Sequence, residues 1–406
     1  MLNVTKLLCD TATPGDDLRY EGLVHGGHRR SNMDRRPVVV WNMTRRCNLH
    51  CIHCYAEAQD KVAPGELTHE EGMALIDDLA AFKAPVILFS GGEPLLRPDL
   101  FGLAGYAISK GLRATLSTNG VLITPEVARK LKDTGFIYVG ISLDGLEPVH
   151  DRFRGMKGAF QASLAAMRNC REAGVRVGIR LTLTRHNFTQ VKDIFRLMES
   201  EGIPRACFYH LAYAGRGSRL VEQDLNHEEA RRTMDTIFEE TVSLHNRMPE
   251  SEVLTVDNHA DSVYLHLKMK SGHPERAAGV LRLLKINGGN ASGIAIAAVD
   301  DQGNVHPDQF WRHCTLGNVR ERPFSQIWQD TSHAILGPLK DRAKYLKGRC
   351  GACHHQDLCN GNLRLRAEAV YDDLWAPDPA CYLTDEEIGV SAVTARGFES
   401  LTTSGS

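Results

Sequence analysis

The stretch 43–58, "MTRRCNLHCIHCYAEA", puts Cys47, Cys51 and Cys54 within eight residues. Cysteines gathered this tightly in metal proteins usually come in fours and close a coordination sphere. Here there are three. Positions i, i+4 and i+7 would also share one face of a helix, yet Asn48, His50 and His53 between them are polar and no amphipathic pattern emerges. A zinc ion completed by His50 or His53 suits the residue types. So does a [4Fe–4S] cluster that takes three thiolates and leaves its fourth iron open to an outside ligand.

The rest of the chain narrows the choice. It has 406 residues, 42% apolar and 24% charged, which is the balance of a globular protein with room for two or three domains. The net charge of -2 gives no reason to expect a nucleic-acid or membrane partner. No run of about 18 apolar residues is present, and the N-terminus lacks a basic start followed by an apolar stretch. A cytoplasmic protein is expected. Seven of the eleven cysteines fall in two groups, 47/51/54 and 350/353/359/381, while Cys9, Cys170, Cys207 and Cys314 are scattered. In a reducing compartment such grouping reads as metal or iron–sulfur ligation rather than disulfides.

Outward from the cysteine stretch, short β-branched runs alternate with helical patterns. Strands are expected at 37–43, 85–90, 113–118, 137–143, 175–184 and 205–212, with helices at 68–82, 97–111, 124–135, 159–174 and 188–202. Thr68 with Glu71 forms a capping box, Thr124 is an N-cap, and Gly111, Gly135 and Gly174 suit left-handed helix ends. This alternation predicts a parallel sheet with right-handed crossovers, six βα units making a partial (β/α)6 TIM-like barrel. Two further units, needed for a full barrel, are not visible. Residues 1–36 are expected to be an arm with little regular structure, and 216–295 a mostly helical linker. A hairpin turning at "DDQGN" is expected within 292–307. Cysteine-rich 296–390 forms the third region, followed by an irregular tail, 391–406.

The three cysteines directly follow the first strand, and the C-terminal ends of barrel strands carry the chemistry. "SGGEPLL" (90–96), "STNG" (117–120) and "SLDG" (142–145) close the next three strands. Each alone is an ordinary turn; four in register at successive strand ends are not. C-x3-C-x2-C followed by an aromatic, here Tyr55, resembles the signature of the radical S-adenosylmethionine (SAM) superfamily. The resemblance implies a cluster whose open iron binds SAM, cleavage of SAM to a 5′-deoxyadenosyl radical, and hydrogen abstraction from a substrate. It assigns Gly91, Gly92, Glu93 and Pro94 to the SAM amino group. It makes Asn119 and Ser142 candidates for the ribose and carboxylate, and Arg154 could fork onto that carboxylate.

"RCGACHHQDLCNG" and "DPACYL" supply Cys350, Cys353, Cys359 and Cys381, which suit a fully ligated [4Fe–4S] cluster or a structural zinc. With "LGNVRERPFSQIW" (316–328), this region resembles a small α+β SPASM/twitch-like iron–sulfur domain, implying one auxiliary cluster on those four cysteines. Cys314 is expected to be a small packed residue, and His354 and His355 to lie outside the ligand set. The stretches "HLAYAGRG" (210–217), "VHPDQFW" (305–311) and the C-terminal cysteine region resemble radical SAM enzymes of alternative heme pathways, nearest the branch that makes heme d1. The resemblance implies an iron-containing tetrapyrrole substrate, didecarboxysiroheme, that loses two propionate side chains. A sister branch removes acetate side chains instead. An electron donor such as flavodoxin or ferredoxin is expected. Arg216, Arg219 and the arm residues His25, His28, Arg29 and Arg30 are candidates for the substrate's carboxylates or iron. The competing readings are a peptide-modifying enzyme of the same architecture and a zinc-binding scaffold.

Overall fold

The computed structural model describes residues 1–20, 32 and 35–390. His25, His28, Arg29, Arg30 and the tail 391–406 lie outside them. One sheet of eleven strands organises the chain: β1 (Leu2–Asn3), β2 (Val38–Asn42), β3 (Val86–Ser90), β4 (Arg113–Thr118), β5 (Tyr138–Ser142), β6 (Val177–Leu183), β7 (Arg205–His210), β8 (Glu252–Val256), β9 (Ile296–Val299), β10 (Asn304–His306) and β11 (Gly317–Asn318). The spatial order is β1-β8-β7-β6-β5-β4-β3-β2-β9-β10-β11. From β8 to β9 every pairing is parallel, and the outer pairings are antiparallel. The six strands expected from the sequence are the middle of this run, joined by crossover helices as an α/β partial barrel requires.

Those helices form where local chemistry starts and stops them. Helix α1 (Val4–Cys9) and α2 (Asp16–Arg19) precede the barrel, and α3 (His69–Ala81) opens it with a reciprocal cap. Thr68 Oγ1 accepts from the Glu71 N–H at 3.2 Å, and Glu71 accepts from the Thr68 N–H at 2.8 Å. Helices α4 (Leu100–Ser109), α5 (Pro125–Thr134), α6 (Glu147–Arg154), α7 (Ala159–Glu172) and α8 (Val191–Glu201) follow β3 to β6. Thr124 caps α5, and Gly135 ends it in the left-handed region at φ 96°. Trp41, Phe89, Leu103 and Ile76 lie fully buried between strands and helices, and α3 carries Gly72 where it crosses the Trp41 ring.

One expectation needs correction and another, a mostly helical 216–295, an addition. The region 1–36 is not without regular structure: Leu2 and Asn3 pair with β8, and α1 buries Val4 and Leu7. The amphipathic run is too short for its period to be read. The region 216–295 is not helix alone. It holds α9 (His227–Arg247), α10 (Ala260–Gly272) and α11 (Pro274–Asn287), but also β8, all of whose residues are buried. A glutamate at its start disguises this strand. Glu252 is sealed in the interior by Arg19 at 2.9 Å, Arg176 at 2.7 Å and Arg205 at 3.4 Å. β8, not visible in the sequence, and β9, the first strand of the expected hairpin, thus add two parallel strands, one at each end of the six.

The hairpin over β9 and β10 forms as expected, and its first strand pairs in parallel with β2. The cysteine-rich C-terminal region therefore joins the barrel sheet through β9, and β10 and β11 extend it.

Candidate active site at the strand ends

The loop after β2 that carries Cys47, Cys51 and Cys54 contains no helix. It is folded back by Cys47 N–H to the Gln59 carbonyl (2.9 Å) and Gln59 N–H to the Arg45 carbonyl (3.1 Å). Gly91 and Gly92 press against it. The Gly92 and Glu93 N–H groups donate to the Thr44 and Arg46 carbonyls, each at 2.7 Å. A Cβ on Gly91 would collide with the Thr44 carbonyl, and one on Gly92 with the Arg46 carbonyl. The glycines thus admit the cysteine loop itself, at a distance no side chain allows. Gly91 also has φ 131°.

All three thiols line one cavity at the C-terminal ends of the parallel strands. Around it stand Tyr55, Gly91, Gly92, Asn119, Ser142 and Arg154, gathered from the ends of β2 to β5 and from α6. Glu93 and Pro94 are buried but do not line it. Glu93 lies behind the wall, accepting from Thr118 Oγ1 (2.8 Å) and the Asn119 N–H (2.9 Å). Burial raises its pKa despite those donors. Tyr55 donates to Asn42 Oδ1 at 3.1 Å and meets Phe310 edge to face. Arg154 is buried and already engaged: Nη1 donates to Cys51 Sγ at 3.5 Å, and Nη2 pairs with Asp144. Burial opposes ionisation of Asp144, but Arg154 overrides it and holds the carboxyl below its usual range.

The donor set suits an iron–sulfur cluster. Each sulfur receives an N–H: Leu49 to Cys47 (3.4 Å), Arg154 to Cys51 (3.5 Å) and Ala58 to Cys54 (3.4 Å). Such hydrogen bonds set the charge balance of cluster thiolates. Without metal, burial pushes the Cys47 thiol up to about 12 and raises Cys51, so a metal must displace those protons. Of the two histidines that could complete a zinc site, His50 is exposed. His53 lies in the cavity wall, 3.8 Å from Asp144, with burial lowering its pKa to about 4. Among the described residues, no three His, Cys, Asp or Glu side chains are placed to hold a single metal ion.

Arg216 has a different place from the one expected. Its guanidinium donates to the Cys51 carbonyl (2.8 Å) and the Ala58 carbonyl (3.0 Å), pinning the cysteine loop, while Arg219 is exposed. Sequence reasoning missed Arg180, Thr182, Tyr209, His210, Asp257, Gln309 and Phe310, which complete the cavity wall. Arg180 and Thr182 alternate along β6, a period-2 signal present in the sequence. Asp257 could not be found without β8.

Cys350, Cys353, Cys359 and Cys381 line a second, smaller pocket with Val263, Leu383 and Ile388. Burial, then the neighbouring thiols, raises Cys359 well above the ordinary thiol range. Four thiols facing one apolar space fit a fully ligated cluster. His354 and His355 do not line the pocket, and His355 Nε2 is 3.1 Å from the Glu387 carbonyl. Cys314 lines neither space and packs against the apolar cluster of Phe310 and Trp311.

The radical SAM superfamily profile matches residues 41–208. The Fe-coproporphyrin III synthase of Methanosarcina barkeri is 55% identical over 395 residues, covering 96% of this chain and 99% of that protein. The pre-heme d1 synthase of Dinoroseobacter shibae is 43% identical over 369 residues, covering 89% of this chain and 91% of that one. Among solved structures, Streptococcus suis SuiB bound to its precursor peptide superposes with a TM-score of 0.66 at 16% identity, over 86% of this chain and 76% of SuiB. Among the described residues no helix is long and apolar enough to cross a membrane.

Proposed function

We propose that the chain, which belongs to the radical SAM superfamily within its heme-biosynthesis branch, removes two acetate side chains from an iron-containing didecarboxysiroheme, giving an iron coproporphyrin. That it is a radical SAM enzyme acting on a tetrapyrrole follows from its relatives. The choice of acetate rests on the 55% identity to an Fe-coproporphyrin III synthase along almost the whole of both chains. The propionate-removing, heme d1-forming reaction is the second reading, favoured by the 43% identity to a pre-heme d1 synthase.

Cys47, Cys51 and Cys54 would hold a [4Fe–4S] cluster, which together with SAM would supply the radical chemistry that takes hydrogen from the substrate. The chain's own residues prepare the place. Gly91 and Gly92 fix the cysteine loop on the strand ends. Arg154, paired with Asp144, puts a positive charge beside Cys51. Asn119 holds Asn48 at 2.8 Å on the same loop, and it lines the cavity with Ser142 where a polar cofactor would lie. Phe310 and Tyr209 offer flat apolar faces for a macrocycle, and Arg180, stacked on Tyr209 at 4.6 Å, offers a cation for a carboxylate. Cys350, Cys353, Cys359 and Cys381 hold the auxiliary cluster in this reading, with 37–215 as the catalytic barrel and 296–390 as the auxiliary region. A cytoplasmic setting, with flavodoxin or ferredoxin as electron donor, suits both thiol groups.

The test is anaerobic reconstitution with iron and sulfide, then incubation with SAM, a reductant and didecarboxysiroheme. Mass spectrometry should show the mass of two whole acetate side chains lost from the tetrapyrrole. Loss of two propionates would select the second reading, and an unaltered tetrapyrrole beside 5′-deoxyadenosine would contradict both.

A further inference from the structure

His210 is the last residue of β7 and lines the three-thiol cavity. It is 5% exposed, and its two ring nitrogens differ in their surroundings. Nε2 lies 3.0 Å from Oδ2 of Asp261, in the first turn of α10, and the Tyr382 hydroxyl donates to Asp261 Oδ1 at 2.7 Å. Asp261 is fully buried and accepts on both oxygens, so the proton of the neutral imidazole sits on Nε2. Nδ1 keeps its lone pair, and among the described residues it has no hydrogen-bond partner. A histidine with one nitrogen donating to a buried carboxylate and the other bare is arranged as a metal ligand. The carboxylate fixes the ring and its tautomer and makes the free nitrogen more basic.

Yet the chain does not complete a site around it: among the described residues, no three His, Cys, Asp or Glu side chains are placed to hold one metal ion. The metal that suits such a histidine is one that arrives with its other ligands in place. An iron tetrapyrrole is that kind of metal, because the ring fills four positions in a plane and leaves the axial ones to the protein. We propose that His210 is a substrate ligand, its Nδ1 binding the central iron of the tetrapyrrole, with Asp261 orienting the ring. This rests on the reading of the substrate as an iron tetrapyrrole and holds whichever side chains are removed. His53, the other histidine of the cavity wall, lacks this support. Its Nε2 is 3.8 Å from Asp144, past hydrogen-bond reach, and its Nδ1 is buried without a partner. Asp257, directly after β8 on the same wall, has a left-handed backbone, φ 69°, and an unpartnered Oδ2, but imidazole suits iron better than a carboxylate does.

The test uses the reconstituted full chain and two probes, iron didecarboxysiroheme and the same ring without metal. The wild type should bind both and shift the absorption bands of the iron form. In protein labelled with nitrogen-15 histidine, the paramagnetic resonance of the bound ferric substrate should show coupling to one labelled nitrogen. His210→Gln can still donate to Asp261 but has no ring nitrogen, and His210→Ala leaves a gap. In both, affinity for the iron ring should fall by about 10–100-fold, the scale on which metal sites respond to a weakened ligand, while affinity for the metal-free ring holds. The coupling should vanish, and added imidazole should restore the iron bands of His210→Ala. Equal losses for the two rings would make His210 a structural residue and overturn the proposal, as would an unchanged iron affinity in both variants. A wild type that binds neither ring would contradict the tetrapyrrole reading and the proposal with it, a failure told apart from the others by wild-type binding alone.

Discussion

The His210 imidazole and the Asp261 carboxylate stand 3.0 Å apart in the interior, and the Tyr382 hydroxyl donates to the other Asp261 oxygen at 2.7 Å. His210 lines the three-thiol cavity, and Tyr382 is the next residue after Cys381 of the four-thiol pocket. One buried aspartate therefore links the wall of the three-thiol cavity to the residue that follows Cys381. Asp261→Asn would leave a mismatched donor inside this network, at a cost of about 1–3 kcal/mol. The thermal midpoint should fall by roughly 1 °C for each kcal/mol lost, the scale for a chain of 406 residues.

The glycine pair makes a second prediction. Gly92→Ala places a methyl group against the Arg46 carbonyl, one residue from Cys47. The loop must shift, and backbone cannot yield as a flexible side chain would. After reconstitution, iron should drop from roughly eight to roughly four per chain, the content of one cubane cluster, with SAM cleavage lost. Gly105→Ala, where an added Cβ meets nothing within 4 Å, should keep full iron.

The four-thiol pocket is tested separately. Changing Cys350, Cys353, Cys359 and Cys381 to serine should also bring iron to roughly four per chain, but should leave SAM cleavage measurable. Loss of all iron would mean that the two sites do not load independently.

A fourth prediction concerns acid. Asp300 turns the β9–β10 hairpin, accepting from the Gln302 and Asn304 N–H groups at 2.9 Å, and lies 3.3 Å from His306 Nε2. Burial alone would raise its pKa, but the nearby His306 ring and the hydrogen bonds from Asn304 prevail and hold it at about 2. The folded pKa lies below the unfolded one. Its contribution, on the order of 2 kcal/mol, is therefore complete above about pH 4 and fades as pH falls through about 2. The difference in thermal midpoint between wild type and Asp300→Asn should shrink over that interval.

The sequence made legible what local rules determine. Thr68 with Glu71 and Thr124 mark helix starts by their own chemistry, and the six central strands stand out because both faces are covered, so their apolar runs are nearly continuous. Cys47, Cys51 and Cys54 were readable as a set by spacing alone. What stayed hidden depends on distant partners. β8 opens with Glu252, a residue that belongs inside only because Arg19, Arg176 and Arg205 converge on it from three other segments. Arg216 reads as a free cation for substrate until the fold turns it onto the Cys51 carbonyl. Glu93 reads as a ligand contact until Thr118 and Asn119 enclose it. Asp257 carries no motif; its backbone conformation and lack of a partner exist only in the folded chain.

The central claim is that the Cys47, Cys51 and Cys54 thiolates hold a cluster with one iron left for SAM. Its most direct test is electron paramagnetic resonance of the reduced, anaerobically reconstituted protein with and without SAM. The wild type should give a [4Fe–4S] signal that changes on adding SAM and that is missing when the three cysteines are replaced by alanine. A reduced protein whose spectrum is indifferent to SAM, with no 5′-deoxyadenosine formed, would contradict the account.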